Sequence, residues 1–144
     1  MVDVSTSIII NCPLKVVSTY AANPDNAPEW YVNIQSAVWK TERPLSIGSQ
    51  IDFVAHFMRR KLSYTYEVVE MTDKKFVMKT AQGPFPMQTS YEWEALDADH
   101  TKMILNNTGY QTGFSKIYAP FMAMMMRRAN RKDLQRLKQI LERH

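Results

Sequence analysis

An α+β chain, in which a seven-stranded antiparallel sheet wraps around one long C-terminal helix, is predicted by three observations. Apolar and polar residues alternate through most of the region from 34 to 110, broken at short intervals by turn-like clusters. A run dominated by β-branched residues, "VSTSIIIN", precedes that region. No glycine or proline follows Pro120, and the apolar residues beyond it recur at helical spacing. The 144 residues are read as one domain spanning 1–144. A chain of that length buries roughly two thirds of its unfolded surface around a single core.

Each element has its own local reason. "VSTSIIIN" is the first strand, ended by "NCP". Pro13 suits the first position of a helix, and Val16, Val17, Tyr20 and Ala21 recur three and four residues apart, so a short amphipathic helix is predicted over 13–22. "NPDN" breaks it, and Asp25 or Asn26 is placed to cap a second short helix through "APEWY". Alternation then predicts strands over 34–42, 50–57, 62–71, 76–81, 87–96 and 101–110. Their short connections favour an antiparallel meander. Ser115 is a candidate cap for the final helix, predicted to run about 22 residues from Phe121, roughly 33 Å.

That order carries a packing problem. A strongly twisted meander must cover its concave face, and only the last helix is long enough to do it. Where helix and sheet separate, the gap is filled by large side chains or left as a cavity. Methionine, ten residues of the chain, is concentrated at this point, four of them at 122–126. Its unbranched, polarizable side chain adapts to irregular partners. Winding the helix puts Met122, Met126, Ala129, Leu137, Ile140 and Leu141 on one side and Arg128, Arg131, Lys132, Arg136 and Arg143 on the other. Ile117, Phe121 and Met124 make the first turns apolar nearly all round.

Composition excludes several classes of function. The net charge of +4 arises in the last segment, where eight basic residues from Lys116 onward outnumber Asp133 and Glu142. Single-strand recognition interleaves aromatics with such charges, and none follows Phe121, so a solvated outer face is expected rather than a nucleic-acid arm. Contact with an anionic membrane surface is a minor option. The apolar stretch over 117–126 is half of the roughly 20 residues needed to span a bilayer. Cys12 is the only cysteine, and "MVDVSTSIII" lacks the basic start and cleavage site of a signal peptide, so a cytoplasmic protein is expected. His56, His100, His144 and Cys12 show no ligand spacing, and Gly48, Gly83, Gly109 and Gly113 form no phosphate loop, so neither metal nor cofactor is expected.

Strand parity sorts the remaining candidates. Ile51, Phe53, Ala55 and Phe57 share a face that excludes Asp52 and His56. Met87, Thr89, Tyr91 and Trp93 share one that excludes Glu92 and Glu94, and Tyr64, Tyr66 and Val68 one that excludes Glu67. Asn107 faces inward with Met103 and Leu105. The expected interior is aromatic and methionine-rich, with no His, Asp or Glu for general acid or base work, so whether a reaction occurs is left undecided. Tyr64, Tyr66, Tyr91 or Tyr110 can polarise a carbonyl or simply be amphipathic core residues. Trp30 is either a cavity wall or a plug, and Phe85 between two prolines either covers an entrance or orders a turn.

"IIINCPLKVVSTYAANPDNAPEWYVNIQSAVW", "LSIGSQIDF", "YTYEVVEM", "GPFPMQTSYEWEALDADHTKMIL" and "DLQRLKQILE", in that order, resemble the START-related helix-grip superfamily called SRPBCC, particularly its polyketide cyclase/dehydrase-like branch. The resemblance runs along nearly the whole chain. It implies a helix-grip fold whose cavity holds a lipid, polyketide or other apolar small molecule. Taken with strand parity, it makes Trp30, Phe53, Phe57, Tyr64, Tyr66, Phe85, Tyr91, Trp93, Asn107, Met122, Met125 and Met126 the candidate ligand-binding residues. The alternatives are a cyclase/dehydrase-type enzyme in the same cavity, or a protein-interaction module of antitoxin or chaperone-cofactor type with a filled interior.

Overall fold

Strand β1 (Val2–Ile10) leads into α1 (Leu14–Ala22), a single 3-10 turn at Pro24–Asn26 and the short α2 (Ala27–Trp30). Six strands follow, β2 (Ile34–Trp39), β3 (Gln50–Phe57), β4 (Arg60–Met71), β5 (Lys75–Gln82), β6 (Met87–Asp97) and β7 (His100–Gly109). Helix α3 (Ala119–Glu142) ends the fold. The computed structural model describes residues 2–57, 59–84, 86–109 and 119–143.

The strands form one antiparallel sheet in the order β1-β7-β6-β5-β4-β3-β2. The six-strand meander is the expected one, and β1 closes against β7 in unbroken register from Val2 opposite Gly109 to Ile10 opposite Thr101. Register shifts between Ile34 and Ser36, Thr65 and Tyr66, Val68 and Glu70, and Ala95 and Asp97 bend the sheet. An extra residue on one strand sharpens local twist, which is how a sheet curls around a helix.

Several boundaries differ from those predicted, each for a local reason. Pro13 precedes α1 in an extended conformation instead of opening it. Asn26 occupies the N-cap position of α2 but makes no side-chain cap bond there, and Asn23 caps the preceding 3-10 turn, its side chain accepting from the Asp25 N–H. Asp25 instead accepts from Trp39 Nε1 at 2.9 Å and pairs with Arg43, and Asn26 donates to the Tyr20 carbonyl. Strand β2 stops at Trp39 because β3, its ladder partner among the described residues, starts at Gln50. Strand β4 begins two residues early, at Arg60, because Phe57 pairs directly with Arg60 while Arg59 takes φ 64°. Helix α3 begins by Ala119, and the expectation for Ser115 falls outside the described residues.

Two apolar clusters hold helix and sheet together. The larger joins Leu134, Leu137 and Leu141 of α3 to Val17 and Ala21 of α1, Trp30 of α2 and the inner face of the sheet from Ile51 to Leu105. The smaller sets Met122, with Ala123 and Met126, against Val2 and Val4 of β1. Between these two grips α3 passes over the concave face without filling the space beneath it.

Candidate functional site

That space is a cavity of roughly 410 Å³, within the size range of small-molecule sites. Phe53 and Ala55 of β3, Arg60, Leu62, Tyr64 and Tyr66 of β4 and Met78 of β5 form one wall. Met87, Thr89 and Tyr91 of β6 and Asn107 of β7 continue it. Met122, Met126, Ala129, Asn130 and Asp133 of α3 make the roof, and Tyr31, Asn33 and Ile34 close the end beside α2. Every third or fourth residue of α3 contributes, as a helix laid across a concave sheet requires.

Seven of the candidate residues meet here: Phe53, Tyr64, Tyr66, Tyr91, Asn107, Met122 and Met126. Trp30 is completely buried but does not line the cavity. It packs 4.0 Å from Tyr31 and 5.6 Å from Tyr91 between ring centroids, inside the larger apolar cluster. Trp93 likewise lies deep in the larger cluster, beyond the cavity floor. Met125 is half-buried and lies off the lining, because 100° per residue turns it away from the face carrying Met122 and Met126. The expectations for Phe85, Tyr110 and the Phe57 side chain fall outside the described residues.

The aromatic wall carries ordered hydroxyls. Tyr66 lies 2.8 Å from Thr89 Oγ1, and Thr89 donates at 2.6 Å to Asn107 Oδ1. With the Thr89 proton committed to Asn107, the Tyr66 hydroxyl is the donor in its own contact. At the opposite end the Tyr31 and Tyr91 hydroxyls are 2.6 Å apart. Burial raises the pKa of all four cavity tyrosines: Tyr66 to about 12, and Tyr31, Tyr64 and Tyr91 well upward. They are neutral hydrogen-bonding groups at physiological pH.

One titratable group breaks the expectation of an interior without His, Asp or Glu. Asp133 is 3% exposed, lines the cavity, and accepts from the Val32 N–H at 2.9 Å. Burial lifts its pKa from 3.8 to about 7, against the opposing effect of the Val32 amide. Its signal was present in the sequence: residue 133 falls four positions after Ala129 and four before Leu137, on the side of the helix facing the sheet. Arg60 is a further cavity residue that parity would have found. It continues the inward series Leu62, Tyr64 and Tyr66 by one step, and the alternation hides it because the predicted strand starts two residues too late. His56, Glu92 and Glu94 are exposed and Glu67 bonds to Gln50, as parity predicted.

A curved sheet gripping a helix over a cavity of this kind has relatives. Residues 1–142 match the family described as polyketide cyclase / dehydrase and lipid transport. The chain belongs to that family. Solved structures of similar shape include the protein TTHA0849 from Thermus thermophilus, 16% identical with a TM-score of 0.83 over 96% of both chains. A START superfamily protein from Mycobacterium smegmatis is 12% identical, with a TM-score of 0.84 over 98% of this chain and 97% of that one. The Zhui aromatase/cyclase from Streptomyces sp. R1128 is 13% identical, with a TM-score of 0.82 over 98% and 93%. At these identities the likeness carries the helix-grip fold and nothing finer. No curated protein matches the sequence. Among the described residues no helix is long and apolar enough to cross a membrane, and no three His, Cys, Asp or Glu side chains are grouped to hold a metal ion.

Proposed function

We propose that this chain binds an apolar small molecule, a lipid, polyketide or similar compound, between the curved sheet and α3. The observation that carries this reading is the cavity itself: roughly 410 Å³ left open between two well-packed clusters, walled by aromatic and methionine side chains. An interior of that size exposes apolar surface to water unless a ligand covers it, and covering it is favourable at about 25 cal/mol per Å². Family membership and the shapes of its neighbours support the same reading. The open interior gives no support to an interaction module with a filled core. Delivery from a membrane would use the first turns of α3, where Phe121 and Met124 are exposed beside Arg127 and Arg128.

Native mass spectrometry of the purified protein, with solvent extraction and identification of any released compound, tests the proposal. An apolar molecule at one per chain is expected, together with saturable binding of a hydrophobic fluorescent probe. Recovery of nothing apolar and no probe binding overturns it.

Asp133 gives specific support to the second reading, a cyclase/dehydrase-type reaction in the same space. A carboxyl with a pKa of about 7 exists in both protonation states near neutral pH, which is what proton transfer to or from a bound substrate requires. Under this reading, Asp133→Asn abolishes turnover of a β-hydroxyketone to its dehydrated product while leaving probe affinity within about twofold. Unchanged turnover in the variant rules it out.

A further inference from the structure

Four buried side-chain polar atoms lack a hydrogen-bond partner among the described residues: Thr6 Oγ1, Trp30 Nε1, Trp93 Nε1 and Asn130 Nδ2. The first three belong to residues that do not line the cavity. Asn130 does line it, and its side chain is 4% exposed. A buried amide donor left without an acceptor costs about 1–3 kcal/mol, so such a group marks a place where something else supplies the acceptor. One helical turn further along the same face stands Asp133, which spends Oδ1 on the Val32 N–H and also lines the cavity. A donor without an acceptor and a carboxylate with remaining acceptor capacity thus sit side by side under an otherwise apolar roof.

We infer that Asn130 and Asp133 form a recognition site for a hydroxyl-bearing apolar ligand, a phenol or alcohol whose oxygen accepts from Asn130 Nδ2 and whose O–H donates to the Asp133 carboxylate. A single hydroxyl is the smallest group that satisfies both residues at once, being donor and acceptor together. Side chains three apart on a helix lie about 5–6 Å apart at Cβ, which leaves room for one oxygen between their tips. The same pairing discriminates. A pure hydrocarbon leaves both groups unanswered, and a carboxylate brings a second negative charge against Asp133. The site rests on the cavity being a ligand site and names the polar feature its ligand carries. The near-neutral pKa of Asp133 agrees with it: a donor on the ligand favours the ionised form, so binding releases protons around pH 7.

The test compares 2-naphthol with naphthalene by isothermal titration on the full chain at pH 7.5, in the wild type, Asn130→Leu and Asp133→Asn. The wild type is expected to prefer 2-naphthol by at least about thirtyfold, the worth of hydrogen bonding to one charged and one neutral buried partner. Asn130→Leu, of similar volume, removes the neutral bond's share of that preference, a drop of several-fold, while holding or improving naphthalene affinity, which also shows that the variant is folded. Asp133→Asn keeps part of the preference and removes the proton release seen when wild-type titrations are repeated in buffers of different ionisation enthalpy. Naphthalene binding without a preference for the hydroxyl, or a preference left undiminished by Asn130→Leu, overturns the inference while leaving the cavity reading intact. Failure of both compounds to bind sinks the two together.

Discussion

Asp133 lines the cavity at a cost to the fold. Its raised pKa reverses the usual carboxylate linkage: the folded state holds its proton more tightly than the unfolded chain, so stability falls as pH rises from about 4 to about 7. Below that window both states are protonated and the residue is neutral in effect. Above it the burden is complete, up to about 4 kcal/mol for a shift from 3.8 to about 7. Asp133→Asn retains an oxygen for the Val32 N–H and removes the ionisation. The variant is expected to match the wild type in chemical denaturation near pH 4 and to exceed it by a few kcal/mol at pH 8. Equal stabilities at both pH values would show that Asp133 is solvated in the folded protein. Strand residues of the site were legible because parity allows only two faces, which is why Phe53, Tyr64, Tyr66, Tyr91 and Asn107 were placed inward from the sequence. Asp133 was not, because its charge matched the polar side of α3 while its position matched the apolar one, and only the fold decides between them.

At the scale of an element, α3 does two jobs with its two halves. Leu134, Leu137 and Leu141 anchor the C-terminal half in the larger cluster, whereas Met122 and Met126 face open space and β1. Truncation costs follow from that difference, because a deleted side chain is expensive where it leaves a new void and cheap where the void already exists. Leu137→Ala, at a completely buried site, is expected to lose about 3 kcal/mol in urea denaturation. Met126→Ala, half-buried on the cavity lining, should lose about 1 kcal/mol or less and shift the preference of the site toward bulkier ligands. Similar losses at the two positions would mean that the cavity is closed in solution. The number and order of elements were legible because alternation, turn residues and the helical repeat each act over a few positions. Boundaries were less so: Trp39 ends β2 only because its partner runs out, and Arg60 enters β4 only because a positive φ at Arg59 tightens the turn.

For the whole molecule, an interior left open sets stability against binding, and the two can be separated at Ala129. This residue sits on the roof of the cavity between the methionines and Asp133, half-buried with the cavity beneath it. Ala129→Phe places a ring in that space without displacing a core side chain, adding apolar contact in the empty protein. Without ligand the variant is expected to melt at or above the wild-type temperature, since filling an apolar void restores lost contacts. With ligand the order reverses. A molecule that binds only the folded wild type at a hundred times its dissociation constant adds about 2.7 kcal/mol, or about 5–10 °C for a domain of this size. Ala129→Phe should bind naphthalene at least tenfold more weakly and gain almost none of that shift. Differential scanning fluorimetry of both proteins, with and without the compound, gives the four temperatures. Their crossing locates the ligand inside the grip of sheet and helix, and an equal ligand-induced rise in the two proteins would place it on the surface instead.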